Sequence, residues 1–496
     1  MLRLKGRMNA RQAGTIFQGL FYLLERFILY DVGENELITD EKPDQDDLTI
    51  LTHLLEAMKM ILKEHTIPWH ENLEIVCIQS HLFNLLKQHF LTSKHIVQVL
   101  DLINICVIKF LSPSMSLLVE STSTQACTLN ELGEVFKVYA THEDWEVRDS
   151  AFNILHSCTE ISYIKYTPLQ KVIQQNNLMI LAAEAALTDS EAYSQCVAFR
   201  CLAAATKIDS IWQEVLVYNK HFHLQCVNIV KTHSEGMVRK EAVDVLTKIY
   251  LNQKIGPIFK ITLYEVMVAA ALDDLHWEVQ LAALTFWKSV IDTGLCEKGM
   301  CDGEFPSVIF SKEKRKIIVL NDREIHNQLA NFMNHLSKIG CLTVLYESVN
   351  EINSIKVIVQ AQAIVKGLMD ILDKFKFDKV SGCTKTEPDD PPTSYVESDT
   401  PLDLSGVTSE AQRNYVIDSI LSVDQAELII NLHDNYPVIK MQEMDIDEMN
   451  PQQKELVTPN KFLETFRNND YIAMIENREK YNDDTLDIWL DEILNL

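Results

Sequence analysis

A chain of 496 residues with 47% hydrophobic side chains can bury a long continuous core, and 14 Gly and 13 Pro are too few for turn-rich β-sandwiches or phosphate-cradling loops. The formal net charge of −26 argues against a nucleic-acid surface, which needs cations to replace phosphate counterions. Residues 381–496 carry 25 acids against 8 bases, so the expected partners are proteins with basic surfaces, with no direct nucleic acid and no membrane.

The start, Met1-Leu-Arg-Leu-Lys-Gly-Arg, is basic and runs into the apolar stretch Ile16–Leu24. That stretch is too short to span a bilayer. It reads most simply as a first helix, a transit peptide being the alternative. Residues 1–120, with apolar stretches at Leu48–Leu62, Asn72–Phe90 and His95–Leu111, are expected to form degenerate N-terminal helical repeats.

Internal similarity dominates residues 121–377. Trp145-Glu-Val147 is followed by Ala151 and Leu155, and Trp277-Glu-Val279 by Ala283 and Trp287. Val238, Ala242 and Leu246 keep the same i, i+4, i+8 spacing, and Ser194, Ala198 and Leu202 repeat it more loosely. The anchors 147, 194, 238 and 279 lie 47, 44 and 41 residues apart, the period of HEAT or armadillo units. Residues at that spacing make one stripe of a helix, and the small central residue lets a neighbouring helix approach. Apolar stretches at Leu178–Leu187 and Ile261–Leu272 supply the preceding helix of a unit, and Asp or Glu in the turn favours the next helix N-terminus. Trp145 and Trp277 are expected in the repeat core. The fold class is therefore all-α, a HEAT/armadillo-type solenoid of stacked pairs.

Val357, Ala361 and Val365 continue the stripe after an inserted loop at about 293–319, which holds the basic run Lys312-Glu-Lys314-Arg315-Lys316. The run reads as solvated loop, with nuclear import or a phosphate contact as alternatives. Residues 378–410, including Glu387-Pro-Asp-Asp-Pro-Pro392, read as a disordered linker, and 411–496 as an acidic helical C-terminal region. Its last stretch, Asp487, Ile488, Trp489, Leu490, Asp491, Glu492, Ile493 and Leu494, is amphipathic. It either lies in a partner's groove or folds back to cap the array.

Motifs for catalysis are missing: no Gly-x-Gly-x-x-Gly, Gly-Lys-Ser/Thr loop, Gly-x-Ser-x-Gly, His-Glu-x-x-His or Cys-x-x-Cys occurs. His221-x-His223-x-x-Cys226 and Asp445-x-Asp447-Glu448 fall short of metal sites. No catalytic residue, cofactor or metal is expected. The eleven cysteines show no framework, and Cys106, Cys158, Cys196, Cys201, Cys226 and Cys341 sit in apolar helical stretches, as expected in a reducing compartment.

The blocks Glu143-Asp-Trp145-Glu-Val-Arg148-Asp-Ser-Ala151 and Asp274-Leu-His-Trp277-Glu-Val279-Gln-Leu-Ala-Ala283-Leu-Thr-Phe-Trp287 resemble the family of HEAT-repeat ATM activators associated with the breast cancer type 1 susceptibility protein. Thr458-Pro-Asn-Lys-Phe462-Leu-Glu-Thr-Phe466 and Leu486–Leu494 resemble that family's ending. Its members are longer at the N-terminus, so the chain is expected either to match only their C-terminal portion or to be a partial gene model. The resemblance implies a non-enzymatic scaffold of nucleus and cytoplasm, binding by its concave face and acidic C-terminal part. It implies roles in the DNA-damage response around the ATM kinase and in assembly of the RNA-cleaving Integrator complex. The implied partners are that kinase, the susceptibility protein and Integrator endonuclease subunits. In the family a cysteine in the extreme tail reaches the endonuclease, whereas the last cysteine here is Cys383. The competing readings are a HEAT-repeat nuclear-transport receptor and a purely structural helical-repeat adaptor.

Overall fold

The computed structural model describes residues 8–28, 43–65, 73–110, 124–164, 167–300, 303–306, 308–311, 316–319, 321–350, 354–378 and 456–468. Two compact units divide the chain. Residues 381–455 form the smaller unit and lie outside the described residues. The larger one joins residues 1–380 to 456–496.

Within the larger unit the chain runs through α1 (Ala10–Ile28), α2 (Gln45–Glu64), α3 (Leu73–Leu86), α4 (Ser93–Phe110), α5 (Thr124–Tyr139) and α6 (Trp145–Ile164). It continues through α7 (Pro168–Gln175), α8 (Leu178–Thr188), α9 (Ala192–Ala205), α10 (Asp209–Tyr218), α11 (Phe222–Thr232) and α12 (Gly236–Asn252). Next come α13 (Pro257–Leu272) and α14 (Trp277–Glu297), the strands β1 (Val308–Ser311) and β2 (Lys316–Val319), then α15 (Asp322–Lys338), α16 (Cys341–Asn350), α17 (Ile355–Lys374) and α18 (Pro459–Asn468).

The helices stack in two layers. One is α1, α3, α5, α8, α11, α13 and α16, and the other α2, α4, α6, α9, α12, α14 and α17, each helix touching the next in its layer and its partner across. One core continues through both layers. The fold is an all-α helical-repeat solenoid. Two pairs carry an extra short helix, α7 and α10, which helps explain repeats above 40 residues. Pro257 opens α13 at a position whose N–H has no helical partner. Asp44 and Asp47 close a capping box on α2. Gly340, at φ 86°, turns α15 into α16 against Val268, a conformation that costs an L side chain free energy. In α1, Ala13, Phe17, Phe21 and Leu24 are buried. None of the described helices is long and apolar enough to cross a membrane.

Two expectations need correction. The insertion is not simply a loop: α14 continues to Glu297 and β1 pairs antiparallel with β2, Val308 facing Val319 and Ser311 facing Lys316. Val-Ile-Phe and Ile-Ile-Val suit strands better than a solvated loop. Lys312–Arg315 lie outside the described residues. The C-terminal region is also not one body after the linker. α18 packs on α15 and α16, burying Val457, Phe462 and Leu463. Ser337 donates to the Val457 carbonyl at 2.8 Å, and the Val457 N–H donates to Thr343 Oγ1 at 2.9 Å. Arg467 reaches the Phe377 carbonyl and Asp373 at the end of α17.

Candidate protein-binding face

The anchors fall on one layer. Val147 and Ala151 in α6, Ser194 and Ala198 in α9, Val238 and Ala242 in α12, and Val279 and Ala283 in α14 are all fully buried. Helices of this layer run parallel. Arg148, near the start of α6, pairs with Asp189 just before α9, while Glu160, near its end, pairs with Lys207 just past the end of α9.

At the shared N-terminal edge the turns follow a rule. The residue five before each anchor accepts the backbone N–H two positions on: His142 Nδ1 from Asp144 (3.0 Å), Asp189 Oδ1 from Glu191 (2.9 Å), His233 Nδ1 from Glu235 (3.1 Å) and Asp274 Oδ1 from His276 (2.8 Å). The residue after the anchor alternates in step: Arg148, Gln195, Arg239, Gln280. Each arginine forks onto the aspartate of the next repeat, Arg148 onto Asp189 at 2.8 and 2.6 Å and Arg239 onto Asp274 at 2.7 and 2.9 Å. It also donates to two carbonyls of its own turn, those of His142 and Glu143, or of His233 and Ser234. The Asp189 hydrogen bond raises the Arg148 guanidinium above its ordinary range. Burial alone would raise the Asp274 carboxyl, but Arg239 and the His276 N–H together hold it below the usual carboxylate value.

Trp145 and Trp277 do not lie in the core. Both open their helices, two residues before the anchor. Trp145 stacks on Tyr193 with ring centroids 5.3 Å apart, and Tyr193 is 56% exposed. Trp277 is 38% exposed and carries the Lys356 ammonium 4.0 Å above its ring. The buried tryptophan on the stripe is Trp287, which donates to the Met267 carbonyl.

Behind the edge, charged side chains couple across repeats. Arg200 holds Glu241 at 2.9 Å, and Lys240 bridges Glu241 and Asp244 at 3.1 and 2.7 Å. Burial pushes the Asp149 carboxyl up to about 6 despite Arg200 nearby. These groups join helices rather than converge on a cavity. A groove of about 410 Å³ between α8 and α11 presents Glu184, already bonded by Tyr218, beside Leu187, Gln225 and Asn228.

Among the described residues no three His, Cys, Asp or Glu are placed to hold a metal. His223 lies edge-on to Trp212 and Phe259, and its desolvated ring drops to about 4. Cys226 is buried, as are Cys106, Cys158, Cys196, Cys201 and Cys341. Residues 487–494, including Trp489, and Asp445–Glu448 lie outside the described residues.

The family described as Integrator complex assembly factor BRAT1 matches residues 106–361, just over half of the chain. The chain belongs to that family. The BRAT1 match runs from α4 into α17 and so takes in all four anchors, both Arg–Asp forks, Trp145 and Trp277. Similar solved structures include two engineered proteins from a structural genomics consortium. One is 16% identical with TM-score 0.37, covering 59% of this chain and 98% of its own. The other is 16% identical with TM-score 0.39, covering 71% and 79%. A designed armadillo repeat protein in complex with peptide (KR)4 is 13% identical with TM-score 0.37, covering 54% and 98%. No curated protein matches the chain.

Proposed function

We propose that this chain is a non-enzymatic scaffold that assembles or stabilises the Integrator complex through its repeat array, with a further role in the DNA-damage response around the ATM kinase. The reading places it in nucleus and cytoplasm. Its partners are Integrator endonuclease subunits, that kinase and the breast cancer type 1 susceptibility protein. The observation that carries the reading is the family match across the stretch where both layers are most regular. The chemistry of that stretch supports it: its cross-repeat ion pairs serve packing, leaving a long layered surface to bind with.

The test is purification of tagged full chain, and of a chain ending at Asn468, from cells. Stopping at Asn468 keeps α18, whose Phe462 belongs to the core. Integrator subunits on the full chain, stoichiometric and salt-resistant, are expected. Their loss on truncation would place the contact in residues 469–496, including Asp487–Leu494. Their absence from the full chain refutes the scaffold reading. Cargo released by a GTP-bound small GTPase would substitute the transport-receptor reading.

A further inference from the structure

From this face we infer that the N-terminal edge of the α6–α9–α12–α14 layer seats an extended Lys/Arg-rich segment of a protein partner, with Trp145 and Tyr193 as its first cation seat and Trp277 as its second. The inference rests on the scaffold reading and names the chemistry of a partner. Three observations carry it.

Tyr193 and Trp277 are exposed and Trp145 is half-buried, at positions where the stripe geometry has no packing use for them. Trp145 and Tyr193 present a stacked pair, and Ser194 donates to the Trp145 carbonyl at 3.4 Å, linking α9 to the first turn of α6. Their electron-rich faces attract cations.

The edge is acidic after its own arginines are accounted for. Arg148 and Arg239 are each satisfied by Asp189 or Asp274 and by two carbonyls. Among the described residues that leaves Glu143, Asp144, Glu146, Glu191, Glu235 and Glu278 along the same row of turns with no cation forked onto them, Asp144 and Glu191 attracting Arg148 and Glu235 attracting Arg239 only through space. An aromatic face beside surplus carboxylates suits a guanidinium or ammonium, which keeps its apolar stem on the ring and its charge near the acids.

The molecule already fills one seat. Lys356, from the following repeat, lies 4.0 Å over Trp277, so the second seat takes a cation within this chain. A partner's cation competes with Lys356 there, while among the described residues no cation lies over Trp145 or Tyr193. Two helix steps separate α9 from α14, about 20 Å at the usual interaxial distance. An extended peptide covers that in about six residues. Between the seats the α12 edge position is Gly236, whose Cα faces the His276 ring, so no side chain projects from it.

The test measures binding of a fluorescent peptide with two arginines six residues apart in a Ser/Gly background to the full chain, by anisotropy at two salt concentrations. Control peptides carry glutamates instead, or one arginine only. The expected results are salt-sensitive binding of the two-arginine peptide alone and at least fivefold weaker binding by Trp145→Ala with Tyr193→Ala. Lys356→Ala should bind several-fold tighter, a gain that a merely structural role would not produce. Glu146→Lys with Glu191→Lys, which leaves the rings in place, should abolish binding. Equal affinity for the glutamate peptide, or wild-type affinity in both the aromatic and the charge-reversed variants, overturns the inference. Integrator association by the wild-type chain in parallel separates that failure from failure of the scaffold reading.

Discussion

Removing Arg148 tests whether the forks hold the repeats together. The side chains of Arg148 and Asp189 are 14% and 6% exposed, and two N–H···O contacts of 2.8 and 2.6 Å join them. Arg148→Met keeps the aliphatic stem but leaves Asp189 charged, buried and, among the described residues, bonded only by the Glu191 N–H. Breaking such a pair from one side costs about 3–5 kcal/mol, because the stranded charge cannot return to water. Arg148→Met with Asp189→Asn removes the stranded charge, so the double variant is expected to recover about 2 kcal/mol or more of the sum of the singles. Glu304→Gln supplies the contrast. Its pair with Lys374 is exposed on both sides, and exposed pairs contribute about 0–1 kcal/mol. Urea denaturation followed by circular dichroism gives the shifts, and amide hydrogen exchange should localise the loss to α6 and α9. Arg148→Met no worse than Glu304→Gln, or strict additivity in the cycle, would refute the reasoning.

Ala283 is fully buried between layers, so Ala283→Asp is expected to cost at least about 3 kcal/mol and to fail to give a cooperative melt; a wild-type Tm would sink the placement of the stripe. Gly340→Ala pairs a φ of 86° with a Cβ 2.8 Å from Val268 Cγ2, and calorimetry should register a loss of about 1–3 kcal/mol. His223 titrates near 4 when folded against 6.5 as the ordinary value, so below pH 6.5 the unfolded chain takes the proton first. The stability this ring contributes is whole above pH 6.5 and declines toward pH 4, by at most about 3 kcal/mol. His223→Phe should therefore melt with a shallower pH dependence than wild type across that window, and parallel curves would count against the buried neutral ring.

What could be read from the sequence was what one helix decides alone. Val147, Ala151, Val238, Ala242, Val279 and Ala283 share a face because of their spacing, and all are buried. The same geometry, carried two residues back, would have placed Trp145 and Trp277 correctly. Two residues turn a helix by about 200°, to the side away from the stripe, whereas Trp287 is eight residues on and returns to it. The Arg–Asp forks span 41 and 35 residues; their residue types were visible, but the pairing needs the next repeat's turn beside the first. α18 was harder still. Phe462 and Phe466 form an apolar face, yet nothing local says that Val457 will bond Ser337 and Thr343, 120 and 114 residues upstream.

The alternation of arginine and glutamine after the anchors has a mechanical consequence. The seams α6–α9 and α12–α14 are each riveted at their N-terminal edge by a buried fork. The seam between them, α9–α12, has Gln195 in that place and is joined further along by Arg200, itself 48% exposed, and at its far end by Asn252 and Gln253 on Thr206. Each seam of this layer is thus cross-linked by polar side chains, but at a different height along the helices: at the N-terminal edge for α6–α9 and α12–α14, and further along and at the far end for α9–α12. Trp145 and Tyr193 stand on the first edge-locked pair of helices and Trp277 on the second, so the distance between these rings is set by how α9 packs on α12.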